Sequence, residues 1–245
     1  MRLLLPPSET KRTGGNPHDG QYPLAYPEQD AVRQKLLAAL ERFCTNKPVA
    51  AVKALGLGPK SVSEIELNRF TDAPVLPALD RYTGVLFSAT ESELWNDKQR
   101  MWAAENIFIH SALFGIISAG DLIPGYRLSY NTKIAGVPLA KYWGQLGSKA
   151  IESCATGDWL LDARSIGYRE LAPVPVGINA ARLEVFSLDG GKALNHFNKV
   201  HKGELVAKLV RDMPKISSAN EFVLWAKRMG IEAKSENTES VNIFV

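Results

Sequence analysis

Two lysines stand three residues apart in a segment of helical spacing. At 100° per residue, Lys202, Leu205, Val206, Leu209 and Val210 share one face of a helix over 198–213, with Lys199 at its edge. Lys208, Arg211 and Lys215 point the other way, where solvated charges belong. Lysines are almost never fully buried without a partner. Lys199 and Lys202 are therefore expected to project from the first turn of a core-facing stripe into a cleft or toward a partner. Two desolvated ammonium groups call for an anionic ligand. A desolvated lysine with a lowered pKa can also serve as a base or a Schiff-base nucleophile. The competing account is that the helix starts later, or that the lysine stems carry their charges out to water.

A second chemistry-bearing stretch is Leu55-Gly56-Leu57-Gly58-Pro59-Lys60-Ser61. A glycine turn opening a helix leaves backbone N–H groups unpaired and aimed outward. The helix dipole and Lys60 add positive charge, which makes Gly56, Gly58, Lys60 and Ser61 a candidate phosphate cradle. An ordinary glycine turn between packed helices is the alternative. A third constellation is Ser8, Thr10 and Lys11, just past the first apolar run, where polar donors commonly line a crevice in α/β proteins. Tyr82, Arg127, Trp143, Asp162 and Ser165 each end an apolar run, and taken singly each is a structural residue before it is a functional one.

Other chemistries lack their signatures. No G-x-G-x-x-G follows a strand, and Gly58-Pro59-Lys60-Ser61 ends like a phosphate loop but has Lys53 where the first glycine belongs. The four histidines, His18, His110, His196 and His201, form no H-x-x-x-H spacing, and no cysteine pair suits zinc. No metal or cofactor is therefore expected. Cys44 and Cys154 are read as small buried side chains in a reducing cytosol.

These groups must be positioned by ordinary elements. Arg2-Leu3-Leu4-Leu5 reads as a buried strand stopped by Pro6-Pro7, and a long Gly/Pro/Tyr-rich loop runs to residue 27. Asp30 is expected to cap a helix whose stripe is Val32, Leu36, Leu40 and Phe43. A helix pair is expected over 50–65, protruding from the main body. Strands are expected over 82–87, from 107 to a glycine turn, over 159–162, 175–178 and 182–188, and over 241–245. Asp189-Gly190-Gly191 is read as a hairpin turn before a strand over 192–197. Helices are expected over 93–102, 139–153, 198–213 and 218–229, the last with a Ser218-x-x-Glu221 capping box.

The chain has 245 residues, 45% of them hydrophobic and 22% charged, which is ordinary globular usage and excludes a disordered chain. No apolar run reaches the ~20 residues that span a bilayer, and the apolar start is too short for a signal-peptide core. Net charge is +3, short of a dedicated nucleic-acid binder. No repeat or linker divides the chain. The expectation is one α+β domain over 1–245, with a largely antiparallel or mixed sheet flanked by helices and a helix-hairpin-helix-like element at 50–65.

An ordered set of motifs resembles a known family. Leu4-Leu5-Pro6-Pro7-Ser8-Glu9-Thr10-Lys11, Tyr82-Thr83-Gly84, Ser111-Ala112-Leu113-Phe114-Gly115, Asp121-Leu122-Ile123-Pro124-Gly125-Tyr126-Arg127-Leu128, Tyr142-Trp143-Gly144 and Lys199-x-x-Lys202-Gly203 occur in the order seen in the YaaA family of bacterial peroxide-stress proteins. The match runs from the N-terminus to about residue 213. It departs at Pro7-Ser8-Glu9-Thr10-Lys11, where many members read Ser-Pro-Ala-Lys, and at Val200, where many carry a lysine. The resemblance implies a cytoplasmic protein induced by hydrogen peroxide, with a compact fold, a positively charged cleft and a role in limiting free iron. It also implies duplex DNA binding through a helix-hairpin-helix element, which maps onto residues 50–65.

Two functions follow from these residues. One is a binder of duplex DNA without sequence preference, gripping phosphates through Gly56, Gly58, Lys60, Ser61, Lys199 and Lys202. The other is an enzyme acting on a nucleotide or modified base, with Lys199 or Lys202 as base or nucleophile and Ser8, Lys11 and Arg127 completing a basic pocket. Neither account involves a membrane.

Overall fold

The computed structural model describes residues 1–18, 21–134, 136–188 and 195–245. The strands are β1 (Arg2–Leu5), β2 (Val75–Pro77), β3 (Ile107–Ser111), β4 (Gly115–Ser118), β5 (Leu122–Pro124), β6 (Leu160–Asp162), β7 (Ala180–Phe186), β8 (Glu232–Asn237) and β9 (Ser240–Phe244). The α-helices are α1 (Asp30–Asn46), α2 (Pro48–Ala54), α3 (Ala78–Arg81), α4 (Val85–Ser88), α5 (Asp97–Asn106), α6 (Leu139–Ala155), α7 (Ile166–Leu171), α8 (Asn195–Asp212) and α9 (Ala219–Arg228). Seven strands form one mixed sheet in the order β4-β3-β1-β6-β7-β9-β8, while β2 and β5 pair separately. The fold is a single compact α+β domain with helices on both faces. Its central strands are parallel, and only the two edge pairs β3–β4 and β8–β9 in this sheet are antiparallel.

β1 is central because Leu3-Leu4-Leu5 has no polar side to turn toward water; strands covered on both faces read as continuous apolar runs. Leu4, Phe108 and Leu160 pack on one face with Ala150, Ile151 and Cys154 of α6. Leu3, Leu5, Ile109 and Leu161 join the larger core with Leu205, Leu209, Phe222 and Trp225 of α8 and α9. The strand order reverses at β1: β3 lies on one side and β6 on the other, both parallel to it. Chain leaving their carboxyl ends diverges there and opens a crevice.

Several expectations change in the structure. The run 82–87 is not a strand: Tyr82 makes a single bridge to Lys11, and Val85–Ser88 is a helical turn. A short apolar run does not distinguish a buried strand from a buried helical turn, and here Leu86 and Phe87 are both buried. Residues 175–178 form a turn before β7. The expected hairpin at 189–191 and most of the strand over 192–197 lie outside the described residues, and Asn195 already begins α8. A helix-hairpin-helix is not formed over 50–65. α2 is followed by a glycine turn and a 3-10 helix, Val62–Asn68, without a side-chain cap. Val62, Ser63 and Ile65 are weak α-formers, and only seven residues separate Ser61 from extended chain at Arg69. Asp30 is the first residue of α1 rather than its cap, and it pairs with Arg33 at 2.7 Å.

Gly203, next to Lys202, faces the carbonyl of Leu86 and the side chain of Ala89, and a Cβ there would overlap both. This contact seats α8 against α4. Gly203→Ala is expected to destabilise the fold by about 1–3 kcal/mol through overpacking. Urea unfolding by circular dichroism measures this, and an unchanged midpoint would contradict the contact.

Candidate functional site

The site is built where β1, β3 and β6 end. After β1, the chain turns through Ser8, whose hydroxyl lies 3.2 Å from that of Thr10. Thr10 Oγ1 donates to the Thr83 carbonyl at 3.1 Å, and the Thr83 N–H donates to the Thr10 carbonyl. A Cβ at Gly84 would collide with Ser8, so the glycine of Tyr82-Thr83-Gly84 lets the loop close on this segment. Arg81 then fastens the neighbouring layer. It is buried and donates to the carbonyls of Ile123 and Pro74, at 3.1 and 2.7 Å, and to that of Arg12. It thereby ties β2 and β5 to the chain just beyond Lys11.

β5 delivers Tyr126 and Arg127. Asn68 fixes the Arg127 backbone twice, accepting from its N–H at 2.8 Å and donating to its carbonyl at 3.1 Å. The Arg127 guanidinium donates to the Glu9 carbonyl at 2.6 Å and pairs with Glu64 at 3.2 Å. The Lys11 amine donates to the same Glu9 carbonyl at 3.2 Å. It stands 4.0 Å from the centre of the Tyr126 ring and 5.5 Å from that of Tyr82. Below it, Tyr126 shares hydroxyl hydrogen bonds with Tyr82 and with Ser111, each 2.8 Å long. All three hydroxyl residues are buried. Burial brings the Lys11 pKa down to about 7; Glu9 and Glu64 oppose the fall and Arg127 adds to it. Burial also lifts the Tyr82 phenol to about 12, against hydrogen bonds from Tyr126 and Ser111 that lower it. It pushes Tyr126 well above the usual phenol range.

Beyond β6 lies a second set. Asp162 and Arg164 form a fully buried bidentate pair, with bonds of 2.9 and 2.8 Å. Arg164 Nη1 also donates to the carbonyls of Ala172 and Tyr168 and stands 3.0 Å from His110 Nδ1. A guanidinium can only donate, so His110 Nδ1 is the acceptor and the ring proton sits on Nε2. That Nε2 finds no partner among the described residues. Burial, with Arg164 beside it, holds His110 neutral, its pKa well below the ordinary value. Lys202 reaches the same place from α8. It is 7% exposed and donates to the Ala163 carbonyl at 3.0 Å. Burial lowers its pKa to about 8; Glu184 opposes the fall, Arg169 assists it, and Asp162 opposes it. Asp162, Arg169 and Glu184 also line a groove of about 700 Å³ between α7 and β7.

The structure thus brings Ser8, Lys11 and Arg127 together around Glu9, and sets Lys202 at the end of the adjacent strand. Lys199 is exposed, on the second turn of α8. Lys208, also outside the crevice, donates to the Met229 carbonyl at the end of α9 at 2.8 Å. The glycine turn of 55–61 is separate too. Its N–H groups bond inward: Gly56 to Lys53, Leu57 to Val52, Gly58 to the Ser61 hydroxyl, and Ser61 back to the Gly58 carbonyl. Gly58 and Lys60 are exposed. Sequence alone did not single out Ser111, Tyr126, Arg164 or His110 as site residues. Ser111 and Tyr126 stand inside the family-like motifs, and Arg164 is two residues past Asp162, already noted at the end of an apolar run. Among the described residues, no cluster of three or more His, Cys, Asp and Glu could hold a metal, and no helix is long and apolar enough to cross a membrane. Both cysteines are buried and free.

A mixed sheet covered by helices, with polar side chains gathered beyond the carboxyl ends of its parallel strands, defines the α+β class to which the chain conforms. The chain belongs to the peroxide stress protein YaaA family, whose model matches residues 1–224. It is 35% identical to a UPF0246 protein of Corynebacterium glutamicum and 34% identical to one of Corynebacterium efficiens, each match covering 100% of both chains. A UPF0246 protein of Streptomyces coelicolor is 30% identical over 96% of this chain and 93% of its own.

The state of His110 sets a pH dependence. With its folded pKa held below the unfolded value of about 6.5, the unfolded chain binds the extra proton below that pH, so stability falls as pH falls. The contribution has a limiting slope of about 1.4 kcal/mol per pH unit. His110→Gln keeps an acceptor for Arg164 and removes the titration. Unfolding free energies measured between pH 6.5 and 5 should fall less steeply in the variant; parallel slopes would show that His110 protonates freely in the folded state.

Proposed function

We propose that this peroxide-stress protein acts in the cytoplasm on an anionic nucleotide or modified base, free or as an exposed unit of DNA. The ligand sits in the crevice beyond β1 and β6. Lys202 supplies positive charge there, and Lys11 supplies an amine that exchanges its proton near neutral pH. In this way the protein would limit iron-dependent oxidative damage to nucleotides or DNA rather than bind iron itself.

One observation carries this reading. Two amines withdrawn from water stand at the ends of neighbouring parallel strands, and each donates to a backbone carbonyl rather than to a carboxylate. An amine so placed has unmet demand for negative charge, which a phosphate satisfies. An anion that enters stabilises the ammonium forms and so raises their pKa values. Binding above pH 7 is then coupled to proton uptake.

A second reading is sequence-tolerant duplex DNA binding through the 55–61 turn. It is supported by the exposure of Lys53, Gly58 and Lys60 along one stretch of chain. With Lys199, Lys202 and Lys208 that makes about three to five phosphate contacts, for which log K falls with log salt at a slope of roughly −3 to −4.5. None of these groups is set to read base edges, so all sequences should bind alike.

Fluorescence anisotropy with a nucleoside monophosphate, a single-stranded oligonucleotide and a duplex separates the two. The crevice reading expects Lys202→Met to weaken mononucleotide and single-strand binding at least tenfold and Lys60→Ala to leave both unchanged. The duplex reading expects Lys60→Ala to flatten the salt slope by about one unit. Mononucleotide affinity unaffected by Lys202→Met would refute the crevice reading.

A further inference from the structure

We infer that the Lys11 amine is a covalent site: it condenses with the carbonyl carbon of a small anionic aldehyde or keto compound to form an imine. Four features of its placement point there. The amine is fixed, bonded to the Glu9 carbonyl and packed on the Tyr126 ring, so attack needs little reorganisation. Among the described residues no carboxylate pairs with it directly; Glu9 faces it with a backbone carbonyl, and Glu64 is taken up by Arg127. The residue is only half-buried and follows the exposed Glu9 and Thr10, so it stays open to a small solute. The hydroxyls of Ser8 and Thr10 and the Arg127 guanidinium stand beside it as donors for the charged end of the ligand.

The charged and titratable groups around the amine are Glu9 on its own loop, Arg127 and Glu64, and the phenols of Tyr82 and Tyr126. Burial is the largest effect and favours the neutral amine, so that about half of Lys11 is nucleophilic at pH 7. An exposed lysine of ordinary pKa near 10.4 is neutral there in only about one molecule in several thousand.

The step balances without an oxidant or reductant. The nitrogen lone pair forms the C–N bond while the carbonyl π electrons move to oxygen. Two protons, given up by nitrogen in attack and dehydration, end on that oxygen. The C–O bond then breaks and water leaves, giving the imine. The ligand's anionic end rests on the crevice reading above; the amine chemistry does not.

Reductive trapping tests the inference. The full-length protein is incubated with glyoxylate or with uncharged propanal, each with cyanoborohydride, and adducts are mapped by peptide mass spectrometry. At pH 7, Lys11 should be labelled at least tenfold faster than Lys60 or Lys199. Its rate should level off by about pH 8 while theirs keep rising. Labelling of Lys11 no faster than Lys60, or with the same pH profile, would overturn the proposal. Preference for glyoxylate over propanal at Lys11 supports both the imine and the anion site. Equal labelling by the two aldehydes keeps the imine and removes the anion site. Lys11→Arg serves as the control: it must abolish the fast-labelled peptide, and persistence of fast labelling elsewhere would place the reactive amine at another lysine.

Discussion

Arg164 carries a permanent charge at a fully buried position, and the geometry at the end of the sheet follows from how that charge is met. Asp162 meets it with two oxygens, on Nε and Nη2, and the carbonyls of Tyr168 and Ala172 and the His110 ring surround Nη1. Desolvating two ions is costly, and a pair repays the cost only when the surrounding hydrogen bonds are complete. Completing them requires β3, β6, α7 and the chain at residue 172 to be in register at once. The pair thus turns four separate segments into one rigid wall, while His110 and Arg33, which donates to carbonyls of Ala25, Phe114 and Ile116, close neighbouring strand ends. Specification of a single arrangement is the role such a pair serves here, more than added stability.

A rigid wall lets the opposite side of the crevice be soft. The Ser8–Lys11 segment, whose Glu9 and Thr10 are exposed, is held by bonds from Arg127 and Thr83 rather than by a core of its own. Its amine rests on two tyrosine rings whose hydroxyls are already committed to each other and to Ser111. Burial keeps the phenols neutral and the hydrogen bonds keep them in place, so the ring faces, not phenolate oxygens, confront the amine. An aromatic face favours the ammonium form, by about 0.5–2 kcal/mol, and burial opposes it. The balance leaves Lys11 near neutrality at physiological pH.

How much of this was legible depended on whether a signal was local. The run Leu3-Leu4-Leu5, cut off at once by Pro6-Pro7, is too short for a helix and announces a strand covered on both faces. The stripe through Lys202, Leu205, Val206 and Leu209 announces a helix face, and it placed a lysine against the core where the structure has one 7% exposed. Lys199 sits three residues earlier and on the edge of that stripe; a rotation of one residue's worth decides whether it is covered, and it is exposed. β8 left no signal, since Glu232, Lys234, Ser235, Glu236 and Asn237 are polar and the strand exists through its pairing with β9. The meeting of Tyr82, Ser111 and Tyr126 is invisible for a different reason. Each ends a separate run, and only the crossing of β3 beside β1, and the clamping of β5 by Arg81, brings them to one point. The motif order pointed to the family without showing that Tyr82, Ser111 and Tyr126 are joined by hydrogen bonds.

Lys11 and Lys202 are not equivalent. Lys202 lies on a long helix, backed by Leu205 and Val206, with its ammonium on the Ala163 carbonyl and the carboxylates of Glu184 and Asp162 nearby. That field keeps it the more basic of the two, at about 8, so near neutral pH it is mainly a cation. Lys11 lies on a loop at the crevice mouth, with Arg127 repelling its charge, and is neutral about half the time. An amine cannot be a good electrostatic anchor and a good nucleophile at one pH, since the proton that makes it the first removes the lone pair that makes it the second. Lys11 and Lys202 stand on different elements, one on a loop against Tyr126 and one on α8 at the Ala163 carbonyl, so each amine can hold one of these states without constraining the other.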